Sequence, residues 1–275
     1  MLNYKIIASD LDGTLLKDDK TISQENLDAI KKFAEMGGIF VPTTGRCIGE
    51  LPPYLINNPH IRYVICSDGT GIYDNATEKC DLDVMPHDVL MRALDVILDY
   101  DVHMVLHYDN VAYSDTSKQL FAGEQMERFG KLYPLIDYFT HTTLKPNFRE
   151  FCDSVNGAEL LFTFFWDRSQ ISECTKRLEE IGEFNILCSA DSSIEIIRKT
   201  SGKGLALLRL ADMLGIDRSE TIGVGDNTND SDLISRAGLG LAMGNAVDAL
   251  KAIADRVICT NEEHNVDYIL KNIIK

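Results

Sequence analysis

The residues best placed to do chemistry are Asp10 and Asp12, in the stretch Ile6-Ile7-Ala8-Ser9-Asp10-Leu11-Asp12-Gly13-Thr14. Small and apolar residues lead into the pair and read as a short buried strand, and Gly13 turns the chain at its end. Two like charges this close repel unless a cation or a shared proton intervenes. A hard cation such as Mg2+, which prefers oxygen ligands, would relieve that repulsion. One carboxylate could then stay ionised and attack phosphorus, while the other held a proton for the leaving group and took one back from water. A strand ending in a solvated Asp-Gly turn accounts for the same residues equally well. The rest of the chain has to decide between the two.

Three more loops have the same character. Ile39-Phe40-Val41 reads as a strand that delivers Pro42-Thr43-Thr44-Gly45-Arg46, with a helix expected over Ile48–Ile56. A hydroxyl and backbone N–H groups facing one point suit a phosphate, although a helix-capping threonine is the simpler account of this loop alone. Thr200-Ser201-Gly202-Lys203-Gly204 precedes a helix expected over Leu205–Leu214. A cation at a helix start opposes the helix dipole, so Lys203 is unfavourably placed unless an anion joins it. Thr221–Val224 reads as a strand ending in Gly225-Asp226-Asn227-Thr228-Asn229-Asp230, which brings Asp226 and then Asp230 to another strand end. Tyr63–Cys66 is a further strand, ending in Ser67-Asp68-Gly69, and Ile72-Tyr73 reads as its hairpin return.

These loops need strands and helices to hold them. A helix is expected from about Gln24 to Met36, capped by Ser23, striped by Leu27, Ile30, Phe33 and Ala34 and ended by Gly37-Gly38. Short strands at Gly240–Met243 and Val257–Cys259, a helix over Val247–Ala254 and a closing helix over Val266–Ile273 follow the last acidic loop. Strands alternating with helices predict a doubly wound, Rossmann-like parallel sheet, in which ligands collect at the carboxyl ends of the strands. From about Leu82 this alternation stops. A helix opening at Met85-Pro86-His87-Asp88 and strands at Val102–Leu106, Val111–Tyr113, Leu160–Phe165 and Ile186–Cys188 surround helices expected over Ser117–Phe129 and Ser169–Ile181. The predicted organisation is an α/β core made of residues 1–81 and 191–275 with an α+β unit, residues 82–190, inserted into it.

Composition narrows the partners. The chain has 275 residues, is 45% apolar and carries a formal charge of −16. That charge repels nucleic acid and anionic membranes, and no basic stretch offsets it. No apolar run approaches the roughly 20 residues of a membrane span, and a strand beginning almost at once leaves no room for a signal peptide, so cytoplasmic residence is expected. The seven cysteines are scattered without a CxxC pair, which favours free thiols over disulfides or zinc.

Taken together, the acidic strand ends, the Thr-Gly turn and the Gly-flanked lysine are the equipment of metal-assisted phosphoryl transfer. In this order they resemble the haloacid dehalogenase superfamily, and within it the Cof-type phosphatases with a large (class IIB) cap. Asp10-Leu11-Asp12-Gly13-Thr14, Thr44-Gly45-Arg46, Lys203-Gly204 and Gly225-Asp226-Asn227-Thr228-Asn229-Asp230 match its four motifs, and Gly244-Asn245-Ala246 its following loop. The resemblance implies Asp10 as nucleophile and Asp12 as general acid/base. It implies Mg2+ held by Asp10, the backbone carbonyl of Asp12, and Asp226, with Asp230 in support. Leu11 through its N–H, Thr44, Gly45, Lys203 and Asn229 would hold the phosphate. The implied substrate is a small phosphorylated metabolite, a sugar phosphate above all, selected by the cap. His103, His107, Tyr108, Trp166 and Arg168 are polar-tipped candidates there, although ordinary core or surface placement is favoured for each. The chain departs from the branch at Asp68-Gly69, where Asn-Gly is common, and at His264-Asn265-Val266, where Asp-Gly-Val is common. A phosphosugar mutase or a non-catalytic phosphometabolite-binding protein of the same architecture are the alternatives.

Overall fold

The computed structural model describes residues 2–116 and 142–275, so the helix expected over Ser117–Phe129 lies outside the described residues. In chain order the strands are β1 (Ile6–Asp10), β2 (Ile39–Thr43), β3 (Tyr63–Cys66), β4 (Gly71–Asp74), β5 (Lys79–Leu82), β6 (Val102–Tyr108), β7 (Val111–Asp115), β8 (Thr142–Lys145), β9 (Leu160–Phe165), β10 (Phe184–Ala190), β11 (Ser193–Arg198), β12 (Thr221–Gly225), β13 (Leu239–Ala242) and β14 (Arg256–Val257). The helices are α1 (Gln24–Glu35), α2 (Pro53–Ile56), α3 (His87–Ile97), α4 (Phe148–Ser154), α5 (Ile171–Ile181), α6 (Lys203–Leu214), α7 (Ser231–Arg236), α8 (Asp248–Ile253) and α9 (Asn265–Asn272). They divide into two compact units.

The first unit comprises Met1–Gly45, Leu51–Leu82 and Ser201–Lys275. Its eight-stranded sheet runs β14-β13-β12-β1-β2-β3-β4-β5. The strands from β14 to β3 are parallel, and β4 and β5 return antiparallel as a meander. β1, β2, β3 and β12 are short apolar runs because helices cover both faces of such a sheet. Ile6, Ala8, Val41 and Ile65 pack against Leu207, Leu210 and Ala211 of α6 and Leu233 of α7. Successive strand residues alternate between faces, and α1 packs on β2 and α9. Ser23 caps α1 by accepting from the Asn26 N–H at 3.2 Å. Register puts Asp10 beside Thr43 on β2, and Ser9 beside Val224 on β12, so the acidic and Thr-Gly loops leave the sheet at one edge. The chain order reverses at β1, between β2 on one side and β12 on the other, which is where ligands bind in such sheets.

The second unit comprises Arg46–Glu50 and Asp83–Thr200. Its six-stranded sheet runs β10-β11-β9-β6-β7-β8, antiparallel except for β7 and β8. One face carries Val102, Met104, Leu106, Leu161, Phe165, Ile194 and Ile196 against buried residues of α3, α4 and α5. The opposite face carries His103, Val105 and His107 of β6, Ala112 of β7 and Phe162 of β9.

The structure corrects several sequence expectations. The helix over Ile48–Ile56 is a 3-10 turn at Ile48–Glu50 followed by the one-turn α2, because Pro52-Pro53 removes two N–H donors and restarts the helix. β11 pairs with β9 and β10, so residues 193–198 belong to the inserted unit and not to the segment expected from 191. β8 and α4 were not foreseen. The buried face of α1 is Asn26, Ala29, Ile30 and Phe33, with Leu27 and Ala34 only half-buried.

Asn26 is the informative member of that face. Its Nδ2 donates to Asn265 Oδ1 at 2.9 Å, and its Oδ1 accepts from the Val266 N–H at 3.0 Å. Asn265 Nδ2 in turn donates to the Thr14 carbonyl at 3.3 Å. Both side chains are buried. Asn265, where the branch commonly has glycine, therefore ties α9 to α1 and to the loop after β1. Replacing Asn26 by Ala leaves buried donors and acceptors unpaired and is expected to cost about 2–3 kcal/mol, read as a lower urea midpoint at unchanged slope.

Candidate active site

Each charged residue of the site stands at or just beyond a strand end or a helix start. Asp10 closes β1, Asp68 follows β3, Asp226 and Asp230 follow β12, and Lys203 opens α6. Lys203 is 1% exposed. Its Nζ donates to Asp10 Oδ1 at 2.7 Å and to Asp230 Oδ1 at 2.6 Å, and lies 3.8 Å from Asp68 Oδ1. Burial alone would lower the lysine pKa, but the attraction of Asp10, Asp230 and Asp68 holds it well above the ordinary value. Lys203 is therefore a permanent cation.

The carboxylates are not equivalent. Asp230 is fully enclosed: Oδ1 takes Lys203, while Oδ2 accepts from the N–H groups of Asp226 and Asn227 at 3.0 and 3.2 Å. It is a capping residue that fixes the turn after β12 and aims Lys203. Asp226 accepts from Thr14 Oγ1 at 2.8 Å through Oδ1. Asp10, Asp226 and Asp230 each offer a carboxylate oxygen, and these oxygens all lie within 4.8 Å of one another. Burial and the Asp230 carboxylate push the Asp10 pKa well above the ordinary value despite Lys203. Burial and Asp230 likewise push Asp226 to about 6. One ammonium cannot neutralise this many acids, and the deficit is what a divalent cation would fill. Hard oxygen donors suit Mg2+. Lys203 donates to Oδ1 of Asp10 and Thr14 to Oδ1 of Asp226, and with both Asp230 oxygens engaged it is Asp10 and Asp226 that could serve such an ion.

The loops around the cluster are shaped to allow it. Gly13 has φ +84°, and a Cβ there would lie 2.5 Å from Asp226 Oδ2. The Gly13 carbonyl accepts from Asn245 Nδ2 at 2.8 Å, which gives the Gly244-Asn245-Ala246 loop its work. Ser67, Asp68 and Gly69 all have positive φ (46°, 51° and 92°), a strained run that carries Asp68 in against Lys203.

A profile of haloacid dehalogenase-like hydrolases matches residues 7–270. The chain belongs to this family. Phosphatase YwpJ of Bacillus subtilis is 28% identical over 98% of this chain and 100% of its own length. The 5-amino-6-(5-phospho-D-ribitylamino)uracil phosphatase YitU of the same organism is 28% identical over 97% of this chain and 96% of its own. A crystal structure of a haloacid dehalogenase-like hydrolase from B. subtilis superposes with a TM-score of 0.85 at 27% identity, covering 98% of this chain and 99% of that one. Within the haloacid dehalogenase superfamily the chain is a Cof-type phosphatase, an enzyme of the phosphoric monoester hydrolase class.

Set on this haloacid dehalogenase fold, Asp10, Lys203, Asp226 and Asp230 converge as their spacing predicts. Thr44 is buried, donates its N–H to the Ile65 carbonyl and accepts the Asp68 N–H on its own carbonyl, so the Thr-Gly turn and the Asp68 turn are pinned together. A Cβ on Gly45 would lie 3.2 Å from Asp68 Oδ2. Leu11 is buried directly after Asp10. Asp12 stands apart: its Oδ1 is paired with Lys20 Nζ at 2.8 Å on a 38% exposed side chain, close enough to Asp226 to raise its pKa but outside the Lys203 cluster. Asn229 is half-buried in the 3-10 turn, and no contact among the described residues ties its amide to the carboxylates.

The sequence missed two members. Asp68, which the sequence leaves open between lining the site and an ordinary Asp-Gly turn, is fully buried beside Lys203. Thr14, quoted in the first motif without a role, holds Asp226. Of the candidates in the inserted unit, His103 is buried, with its pKa lowered to about 3 by burial, and His107 pairs with Glu50. Tyr108 packs against Tyr113 and Phe151 on the helix-covered face. Trp166 lies edge-on to Phe164, and Arg168 reaches Asp191 at 3.5 Å.

The raised Asp226 pKa has a definite sign. A carboxyl whose folded pKa is raised contributes stability that is present below its unfolded value near 3.8 and lost as pH rises through the folded value near 6. In chelator, stability should therefore fall between roughly pH 3.5 and 6.5, with Asp226 contributing on the order of 2–3 kcal/mol. Urea unfolding of Asp226→Asn should lack that part of the decline. An equal decline in the variant would show that Asp226 is not its cause.

Proposed function

We propose that this chain hydrolyses a small phosphorylated metabolite, a sugar phosphate in the first place, with Mg2+ as cofactor and an aspartyl-phosphate on Asp10 as intermediate. The observation that carries this is the buried cluster in which one permanent cation, Lys203, faces Asp10, Asp230 and Asp68 beside Asp226. A site with that excess of negative charge and a lysine aimed at the nucleophile fits a cation and a phosphate bound together. Asp10, Asp226 and the backbone carbonyl of Asp12 would hold Mg2+, which when bound supplies Lewis-acid charge against the phosphate oxygens. Asp230 is already spoken for by Lys203 and two N–H groups.

In the first step an Asp10 carboxylate oxygen attacks phosphorus and the ester P–O bond breaks. Asp12 protonates the leaving oxygen. In the second step Asp12 takes a proton from water, which attacks the phosphorus of the aspartyl-phosphate, and inorganic phosphate leaves Asp10 free. Lys203, Thr44, Gly45, the Leu11 N–H and the Asn229 amide orient the phosphate oxygens. Asp12 must release Lys20 to act, and its exposed position suits a group that exchanges protons with water. The relative named for a 5-phospho-D-ribitylamino substrate supports the sugar-phosphate class. Selectivity for the rest of the metabolite is assigned to the inserted unit, residues 82–190 as bounded from sequence. Cytoplasmic residence without nucleic-acid or membrane partners is part of the same proposal. It is supported by the charge of −16 and by the finding that no helix among the described residues is long and apolar enough to cross a membrane.

The test is phosphate release from p-nitrophenyl phosphate and a panel of sugar phosphates. Mg2+ should support turnover, EDTA should abolish it, and Asp10→Asn should lower kcat by at least about 1,000-fold without loss of the folded state. An isomerised sugar phosphate in place of inorganic phosphate would make the chain a mutase. No release from any member of the panel with Mg2+ present would overturn hydrolysis.

A further inference from the structure

A second cluster of ligand-type side chains lies in the inserted unit, independent of the phosphatase chemistry. Cys47 and Glu50 sit on the short 46–50 segment, and His107 is near the end of β6. One donor atom from each residue lies within 4.8 Å of the other two. Cys47 is fully buried, His107 is 5% exposed and Glu50 is half-buried. His107 Nε2 is 3.4 Å from Glu50 Oε2. Glu50 Oε2 also accepts the Cys47 N–H at 2.9 Å, which folds the segment so that thiol and carboxylate face the same way.

The local fold holds all three donors on one side of the sheet. Val105 and Ala112 pack on Cys47 with Phe162 against them, and the Gly49 N–H donates to the Asn110 carbonyl at 3.1 Å. Glu159 adds a second buried carboxylate. Its N–H donates to the His107 carbonyl, and its Oε1 accepts from the Asn110 N–H at 2.8 Å. The surroundings are thus apolar walls around one thiol, one imidazole and two carboxylates.

We propose that Cys47, Glu50 and His107 bind a divalent transition metal ion, Zn2+ in class, through Sγ, a carboxylate oxygen and Nε2. Sulfur, imidazole nitrogen and carboxylate oxygen are the three ligand types Zn2+ takes, and three protein ligands plus water complete a tetrahedron. With bonds of about 2.0–2.1 Å to nitrogen and oxygen, the tetrahedral N–O edge is about 3.3 Å, close to the His107–Glu50 spacing. On binding, the S–H bond breaks, the metal–sulfur bond forms and the proton leaves to solvent, with no change of oxidation state. The ion would fasten the segment that follows Thr44-Gly45 to β6. Mg2+ does not compete for a thiolate site, since it prefers oxygen ligands and stays hydrated.

Chelator-washed full-length protein is titrated with Co2+ and then Zn2+. One equivalent of Co2+ is expected to develop the near-ultraviolet thiolate-to-metal band of a tetrahedral site, and Zn2+ to remove it one for one. Cys47→Ser, nearly isosteric, should lack the band. His107→Gln should weaken Zn2+ binding by at least about 100-fold, the scale of losing one ligand interaction in such a site. Asp226→Asn, which alters only the oxygen cluster, should keep the band. Zn2+ should raise the thermal midpoint of Asp226→Asn, whose oxygen cluster is altered, but not that of the Asp226→Asn/Cys47→Ser double variant. If Cys47→Ser does not fold, a change in the Co2+ spectrum of Glu50→Gln or His107→Gln serves the same purpose. Absence of the band in the wild type, or a band that persists in Cys47→Ser, overturns the site.

Discussion

The position of one ammonium group fixes most of this molecule. Lys203 Nζ is buried, and its partners Asp10 and Asp230 come from the ends of adjacent strands, with Asp68 approaching from the turn after β3. Lys203 and Asp10 are 193 residues apart in the chain, and the whole inserted unit intervenes between them. The contact therefore requires the sheet to be complete, with β3, β1 and β12 in register, before any of its parts is neutralised. An uncompensated buried lysine or carboxylate costs several kcal/mol, so partly assembled states are penalised and the finished one is singled out. Close approach is built in at the same place: a Cβ on Gly69 would lie 2.1 Å from the Gly202 carbonyl oxygen, so only glycine lets the turn after β3 meet the start of α6.

The cluster is poorly explained as a stabilising device. Burying an ion pair seldom improves on apolar packing, and here the acids outnumber the base. The raised Asp10 and Asp226 pKa values are the consequence: each carboxyl sits where its charge is disfavoured by burial and by Asp230. The left-handed run at Ser67-Asp68-Gly69 adds backbone strain to the electrostatic cost. Perturbed acids, a desolvated lysine and strained turns at the carboxyl edge of a parallel sheet are what a site prepared for a charged ligand looks like. Asp68 deepens the imbalance. Where the branch commonly carries a neutral Asn, this chain places a further acid 3.8 Å from Lys203. The charge that a bound cation would offset is correspondingly larger.

Much of this was legible in the sequence because buried parallel strands are unambiguous over short spans. Ile6–Asp10, Tyr63–Cys66 and Thr221–Gly225 are apolar runs closed by acidic or Ser-Asp-Gly turns, and the structure puts those turns where the runs end. What failed depended on information far along the chain. Ser193–Arg198 reads as a strand in isolation, but its neighbours β9 and β10 decide to which sheet it belongs. Thr142–Lys145 has two threonines, a leucine and a lysine, little burial and no clear alternation, so β8 carries no local signal. Asp68-Gly69 looks the same in sequence whether the aspartate faces water or a buried lysine. Asn26 stands three residues after the Ser23 cap, where a capping residue is ordinary, yet its amide faces inward to Asn265. A polar residue on the buried face of a helix cannot be told from a surface one until its partner is known.

Asp230 and Asp12 show how spacing alone can mislead about the division of work among acids. Asp12 is two residues from Asp10 and Asp230 four from Asp226, and both have the carboxylate chemistry of a metal ligand. Asp230 is the more buried and the closer to Asp10 and Asp226, yet its two oxygens are fully engaged, three donors in all. Its geometry is that of a clamp: it holds the backbone of Asp226 in place and keeps Lys203 charged. Asp12 is the more exposed and is paired with the surface Lys20, a pairing that water and salt weaken. In the proposed mechanism Asp12 gives a proton to the leaving oxygen and takes one from water, which suits the wet margin of the cluster, and Asp10, the proposed nucleophile, stands beside the fixed cation. The side chains of Asp12 and Asp10 are distributed in that way, two residues apart on one turn, because Gly13 reverses the chain between the sheet edge and the surface.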